Sequence, residues 1–67
     1  MNIEDKLMNE LLDVTLKLYK LKDFKKTEKF NNLSEEMQNL LIIQQSTMNT
    51  YAYILKSRID LLKKEGE

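Results

Sequence analysis

Not one proline interrupts this chain, and its single glycine, Gly66, stands next to last. Tight hairpin turns and sheet bulges call on glycine for their special backbone angles. A chain that has none until its end is poorly equipped for β-structure. Leu, Lys, Glu and Met, which are strong helix formers, supply much of the sequence instead. The expected fold class is therefore all-α: a two-helix antiparallel hairpin that assembles as a dimeric helical bundle.

The 67 residues suffice for one domain. Cores of this size rarely supply more than about 3–5 kcal/mol, and small natural domains add disulfides, metals or subunits. With no Cys and no His, disulfides are excluded and a zinc site is not expected. Self-association or partner binding is left as the source of added stability. The same two absences remove the thiol nucleophile and the imidazole base. No Gly-rich phosphate loop is present, and no carboxylates are paired in an acid–base pattern. The expectation is a non-enzymatic binding protein with no catalytic residue, no cofactor and no metal.

Helix signals divide the chain in three. The first helix is expected over about 3–24, with Asn2 as N-cap and Glu4 and Asp5 in the first turn, where the dipole favours anions. The second is expected over about 34–64, capped by Ser34 and closed by Lys63 and Lys64 before Gly66. The hinge, about 25–33, contains no Gly or Pro. Thr27 and Glu28 can start a single helical turn there, and Phe24, Phe30 and Leu33 are expected to fold inward.

Each helix carries two apolar stripes when position is read as angle at about 100° per residue. In the first helix Ile3, Leu7, Leu11, Val14, Leu18 and Leu21 form a packing seam, and Met8, Leu12, Leu16 and Tyr19 form a second band. In the second helix Met37, Leu40, Leu41, Met48, Tyr51, Ala52, Leu55, Ile59 and Leu62 are grouped on the core side. Ile43, Ile54 and Leu61 lie nearly opposite. One partner helix covers one stripe, so the second stripes read as an interface. The expected oligomer interface is Met8, Leu12, Leu16, Tyr19, Ile43, Ile54 and Leu61. Gln44, placed on the core side, is expected to set register or to sit partly exposed. By length the end of the second helix should overhang, leaving Ile59, Leu61 and Leu62 in need of cover.

Charge sums to zero but is segregated. Residues 1–16 carry Glu4, Asp5, Glu10 and Asp13 against Lys6. Residues 17–33 carry Lys17, Lys20, Lys22, Lys25, Lys26 and Lys29 against Asp23 and Glu28. The basic hinge reads in three ways: a helix terminus matched to its dipole, a surface that meets the acidic N-terminus of a second copy in an antiparallel dimer, or a phosphate-binding patch. Lysines act there as point charges without the bidentate geometry of arginine. The expected partner-binding residues are Tyr51, Tyr53, Arg58, Lys25, Lys26 and Lys29, because Tyr and Arg dominate binding energy at many interfaces. No apolar run is long enough to span a bilayer, and the acidic N-terminus is unlike a signal peptide. Cytoplasmic residence without membrane contact is the expectation.

The stretch Leu40–Tyr51 continuing through Leu55–Leu62, together with Phe24–Leu33, resembles small helical-hairpin proteins encoded by bacteriophages and prophages. That resemblance implies an accessory product acting in the host cytoplasm. It would bind and inhibit or modulate a host protein such as a CRISPR effector or another defence component. By architecture the chain is also similar to Rop-like two-helix dimers, which implies an RNA- or nucleotide-binding adaptor as the alternative. A purely structural oligomerisation module is the third reading.

Overall fold

The computed structural model describes residues 2–66 and is all-α, with no strand among them. Three helices form where two were expected. Helix α1 spans Ile3–Phe24, α2 is a four-residue helix at Glu28–Asn31, and α3 spans Glu35–Glu65. Each begins at a polar cap. The Asn2 side chain accepts from the Asp5 N–H at 2.8 Å, Thr27 Oγ1 from the Phe30 N–H at 3.3 Å, and Ser34 Oγ from the Met37 N–H at 3.1 Å. Each bond satisfies one amide that the first helical turn leaves without a partner.

The long helices α1 and α3 pack side by side and run in opposite directions: Glu10 meets Tyr51, and further along α1 Lys25 meets Gln45. Between them sit Leu7, Val14, Leu18, Leu55 and Ile59, all buried. Leu11, Met48, Ala52 and Leu62 pack against this cluster and are half-buried. Ala52 adds no bulk beyond a methyl group, which lets the two backbones approach.

The bend is a packed structure. Phe30 is buried, and its ring stands edge-on to that of Phe24, with centroids 6.1 Å apart and planes at 86°. Gln38 of α3 reaches back across the bend. Its Nε2 lies 3.0, 3.2 and 3.1 Å from the carbonyl oxygens of Phe30, Asn31 and Leu33. One amide thus ties the end of α2 and the following loop to α3.

Four expectations change. Leu40, Met37 and Tyr51 do not belong to the core: they are 60%, 46% and 38% exposed. The wheel places Leu40 and Tyr51 at about 60° and 40° from Leu55, so that grouping was too wide for a seam one helix can cover. Met37 lies before the part of α3 that faces α1. Ile3, placed in the seam of α1, is also largely exposed, because it stands at the open end of the helix pair. Gln44 is exposed and only approaches Met48 Sδ at 3.8 Å, while its neighbour Gln45 is the half-buried amide. Finally, the C-terminal end of α3 does not overhang. Ile59 is buried against the α1 cluster, and Leu62 is half-buried, although Leu61 remains exposed. The extra turns of α3 lie at the other end, where Gln38 ties them to the bend.

Candidate ligand-binding site

The C-terminal turn of α1 carries Lys22, and Lys25 and Lys26 follow at once. Their position has a local cause. The last carbonyls of a helix bear partial negative charge and attract cations. Those carbonyls are already engaged: Leu21 O accepts from the Lys25 N–H, Asp23 O from the Lys26 N–H, and Phe24 O from the Thr27 N–H at 3.0 Å. The ammonium groups are therefore not needed to satisfy them.

Lys25 is half-buried. Its Nζ donates to Oε1 of Gln45 at 2.9 Å, across a sequence separation of 20. This bond joins the end of α1 to the middle of α3. The same two residues, with Lys22 and Lys26, line an open cleft of ≈ 350 Å³. No carboxylate lines it. Three cations and one primary amide therefore converge on a volume at the lower end of the ~300–1,000 Å³ typical of small-ligand pockets.

The residues expected to bind partners are only partly brought together. Lys25 and Lys26 line the cleft, whereas Lys29 lies exposed on α2 and is not among the lining residues. Lys22 and Gln45 complete the lining, and the sequence reading had given neither a binding role. Tyr51 donates its hydroxyl proton to the Glu10 carboxylate, which makes it a cross-helix strut. Tyr53 is 71% exposed. Two residues apart on one helix means about 200° of rotation, so Tyr51 and Tyr53 cannot share a surface. Arg58 is exposed and lies two turns from Tyr51 on its side of α3.

The second apolar stripe of α1 is exposed in full: Met8 42%, Leu12 59%, Leu16 60% and Tyr19 64%. On α3, Ile43, Ile54 and Leu61 are likewise exposed. Thr47 and Thr50 interrupt this second row, and their hydroxyls return to the backbone carbonyls of Ile43 and Ser46 at 3.0 and 3.1 Å.

A family model described as Sequestin matches residues 1–61. The chain belongs to the Sequestin family. The match takes in all of α1 and α2, both sides of the cleft, and α3 as far as Leu61. No curated protein and no solved structure matches the chain. Among the described residues, no helix is long and apolar enough to cross a membrane.

Proposed function

We propose that this Sequestin-family chain is a non-enzymatic capture protein that holds a phosphate-bearing small molecule of the nucleotide class. The observation that carries the reading is the convergence of Lys22, Lys25, Lys26 and Gln45 on one cleft. Lysine suits phosphate as a point charge that tolerates several oxygen geometries. The Gln45 amide adds directional donors and an acceptor that can read a base or hydroxyl edge. Size and net charge favour a small ligand over a polynucleotide. The cleft is open and of ≈ 350 Å³, on the scale of a small ligand, and a chain of zero formal charge sets up no long-range field for a polyanion. The family's name also points toward binding. In the setting that the phage resemblance implies, capture would withdraw such a molecule from a host system without altering it.

Self-association belongs to this reading: a dimeric bundle would cover apolar surface that a lone chain exposes. The direct experiment is to purify the protein from the cells that make it, release bound small molecules by heat, and identify them by mass spectrometry. A stoichiometric phosphorylated compound supports capture. A protein free of any such compound, and blind to a panel of nucleoside mono-, di- and triphosphates, contradicts it.

A second reading, inhibition of a host protein, is favoured by one observation: Tyr53 presents most of its surface on the outside of α3. Exposed tyrosine is a frequent anchor in protein interfaces. Under this reading Tyr53→Ala weakens partner binding more than tenfold and leaves the melting temperature within about 2 °C, since surface substitutions usually cost under ~0.5 kcal/mol. A variant that melts much earlier assigns Tyr53 to structure instead.

A further inference from the structure

We propose that the α1 face formed by Met8, Leu12, Leu16 and Tyr19 docks on the same face of a second copy, antiparallel, about a two-fold axis between Leu12 and Leu16. This rests on the self-association proposed above and adds its face, its register and its relation to the cleft. The surface area calls for such a contact. A folded monomer of 8.0 kDa exposes about 4,450 Å² by the usual scaling with mass, whereas this chain exposes 5469 Å². The excess, about 1,000 Å², is of the size that a stable interface covers on each partner, ~800 Å². Its source is the elongated shape, 51 × 16 × 15 Å.

The choice of face follows from continuity. Met8, Leu12, Leu16 and Tyr19 form a row with no polar residue in it, unlike the row on α3 that Thr47 and Thr50 divide. Wheel positions put the two rows on opposite sides of the α1–α3 seam, so one contact cannot bury both. The α1 row shares the side of the cleft: Lys22, which lines it, follows Tyr19 by three positions, the spacing of one helix face.

The antiparallel sense follows from charge. The first half of α1 is acidic, with Glu4, Asp5, Glu10 and Asp13 against Lys6, and the chain from Lys17 to Lys26 is basic, with Lys17, Lys20, Lys22, Lys25 and Lys26 against Asp23. An antiparallel pair sets the acidic half of each α1 against the basic end of the other, while a parallel pair sets like charges together. The apolar row is self-complementary in the same register. Met8 falls opposite Tyr19 and Leu12 opposite Leu16, so the row meets itself with apolar side chains at every level. The N-terminal turn of the second copy then borders the cleft at Lys22.

The chain has no cysteine, so introduced pairs report register cleanly. Met8→Cys mixed with Tyr19→Cys, under mild oxidation at micromolar concentration, should yield a disulfide-linked heterodimer. Each variant alone should stay largely uncross-linked. Efficient cross-linking of Met8→Cys with itself would overturn the register by showing a parallel pair, while leaving self-association intact. Sedimentation equilibrium of the unaltered protein that finds only the 8.0 kDa species would overturn both, and would assign the face to a different partner.

Discussion

Leu55→Ala should unfold this protein at 37 °C. Among the described residues Leu55 is the one large side chain that is fully buried, and it packs in the cluster with Leu7, Val14, Leu18 and Ile59. Truncating such a leucine costs about 2–5 kcal/mol, through lost transfer energy and the cavity left behind. A core of this size supplies only about 3–5 kcal/mol to begin with. The two ranges overlap, so the substitution removes most or all of the margin. Circular dichroism against temperature reads the result directly. A variant whose midpoint falls by only a few degrees would mean that stability resides elsewhere, in the bend or between copies.

The second large effect falls on assembly. Leu12→Glu combined with Leu16→Glu should convert the proposed dimer to an 8.0 kDa monomer at micromolar concentration. Both side chains are about 60% exposed in the single chain, so the pair should cost the monomer fold little. Across the proposed two-fold the substitutions bring four carboxylates into one apolar contact. Burying unpaired charge costs several kcal/mol, so a loss of at least about a hundredfold in dimer affinity is expected. Sedimentation equilibrium measures it. An unchanged association constant would show that copies meet through another face.

Much of the fold was legible because its signals are local. Asn2, Thr27 and Ser34 each precede a helix and each makes the capping bond that its type and position suggest. The absence of Gly and Pro between Phe24 and Leu33 pointed to a packed bend, and Phe30 is buried there. What the sequence left open depends on how one helix is rotated and shifted against another. Gln44 and Gln45 lie on either side of Leu55, at about 20° and 80° on the wheel, so an error of a few tens of degrees exchanges one for the other or admits Leu40, at about 60°, to the core. The supposed overhang of α3 failed for a related reason: helix lengths do not reveal which end a bend will cover.

The candidate site was half legible for the same reason. A cluster of lysines at the end of α1 can be read from the chain. Its conversion into a cleft needs Gln45, which is 20 residues from Lys25 and meets it only through the crossing of α1 and α3. Tyr51 shows the converse. Its type suggested an anchor for partners, yet its hydroxyl serves Glu10 on the neighbouring helix.

The surface charges outside the cleft do little for stability. The Asp13–Lys17 pair, at 3.2 Å, is the one ion pair found among the described residues, and both side chains are 64% exposed. Pairs of this kind contribute at most about 1 kcal/mol. Lys22 and Lys26 are thus not part of a charge network that the fold requires, whereas Lys25 also ties α1 to α3 through Gln45, so a variant that includes Lys25 is read as a test of binding only once circular dichroism shows its helix content unchanged.

The central claim is capture at the lysine cleft, and calorimetric titration tests it most directly. The released ligand, or a nucleoside triphosphate in its place, is titrated into the unaltered protein and into a variant carrying Lys22→Glu, Lys25→Glu and Lys26→Glu. The account predicts saturable binding to the unaltered protein that weakens as salt rises, with the ligand recovered chemically intact. For the variant it predicts a loss of more than about a hundredfold, because three attractive charges become repulsive ones. Equal affinity for both proteins, or a ligand recovered as a different compound, would contradict it.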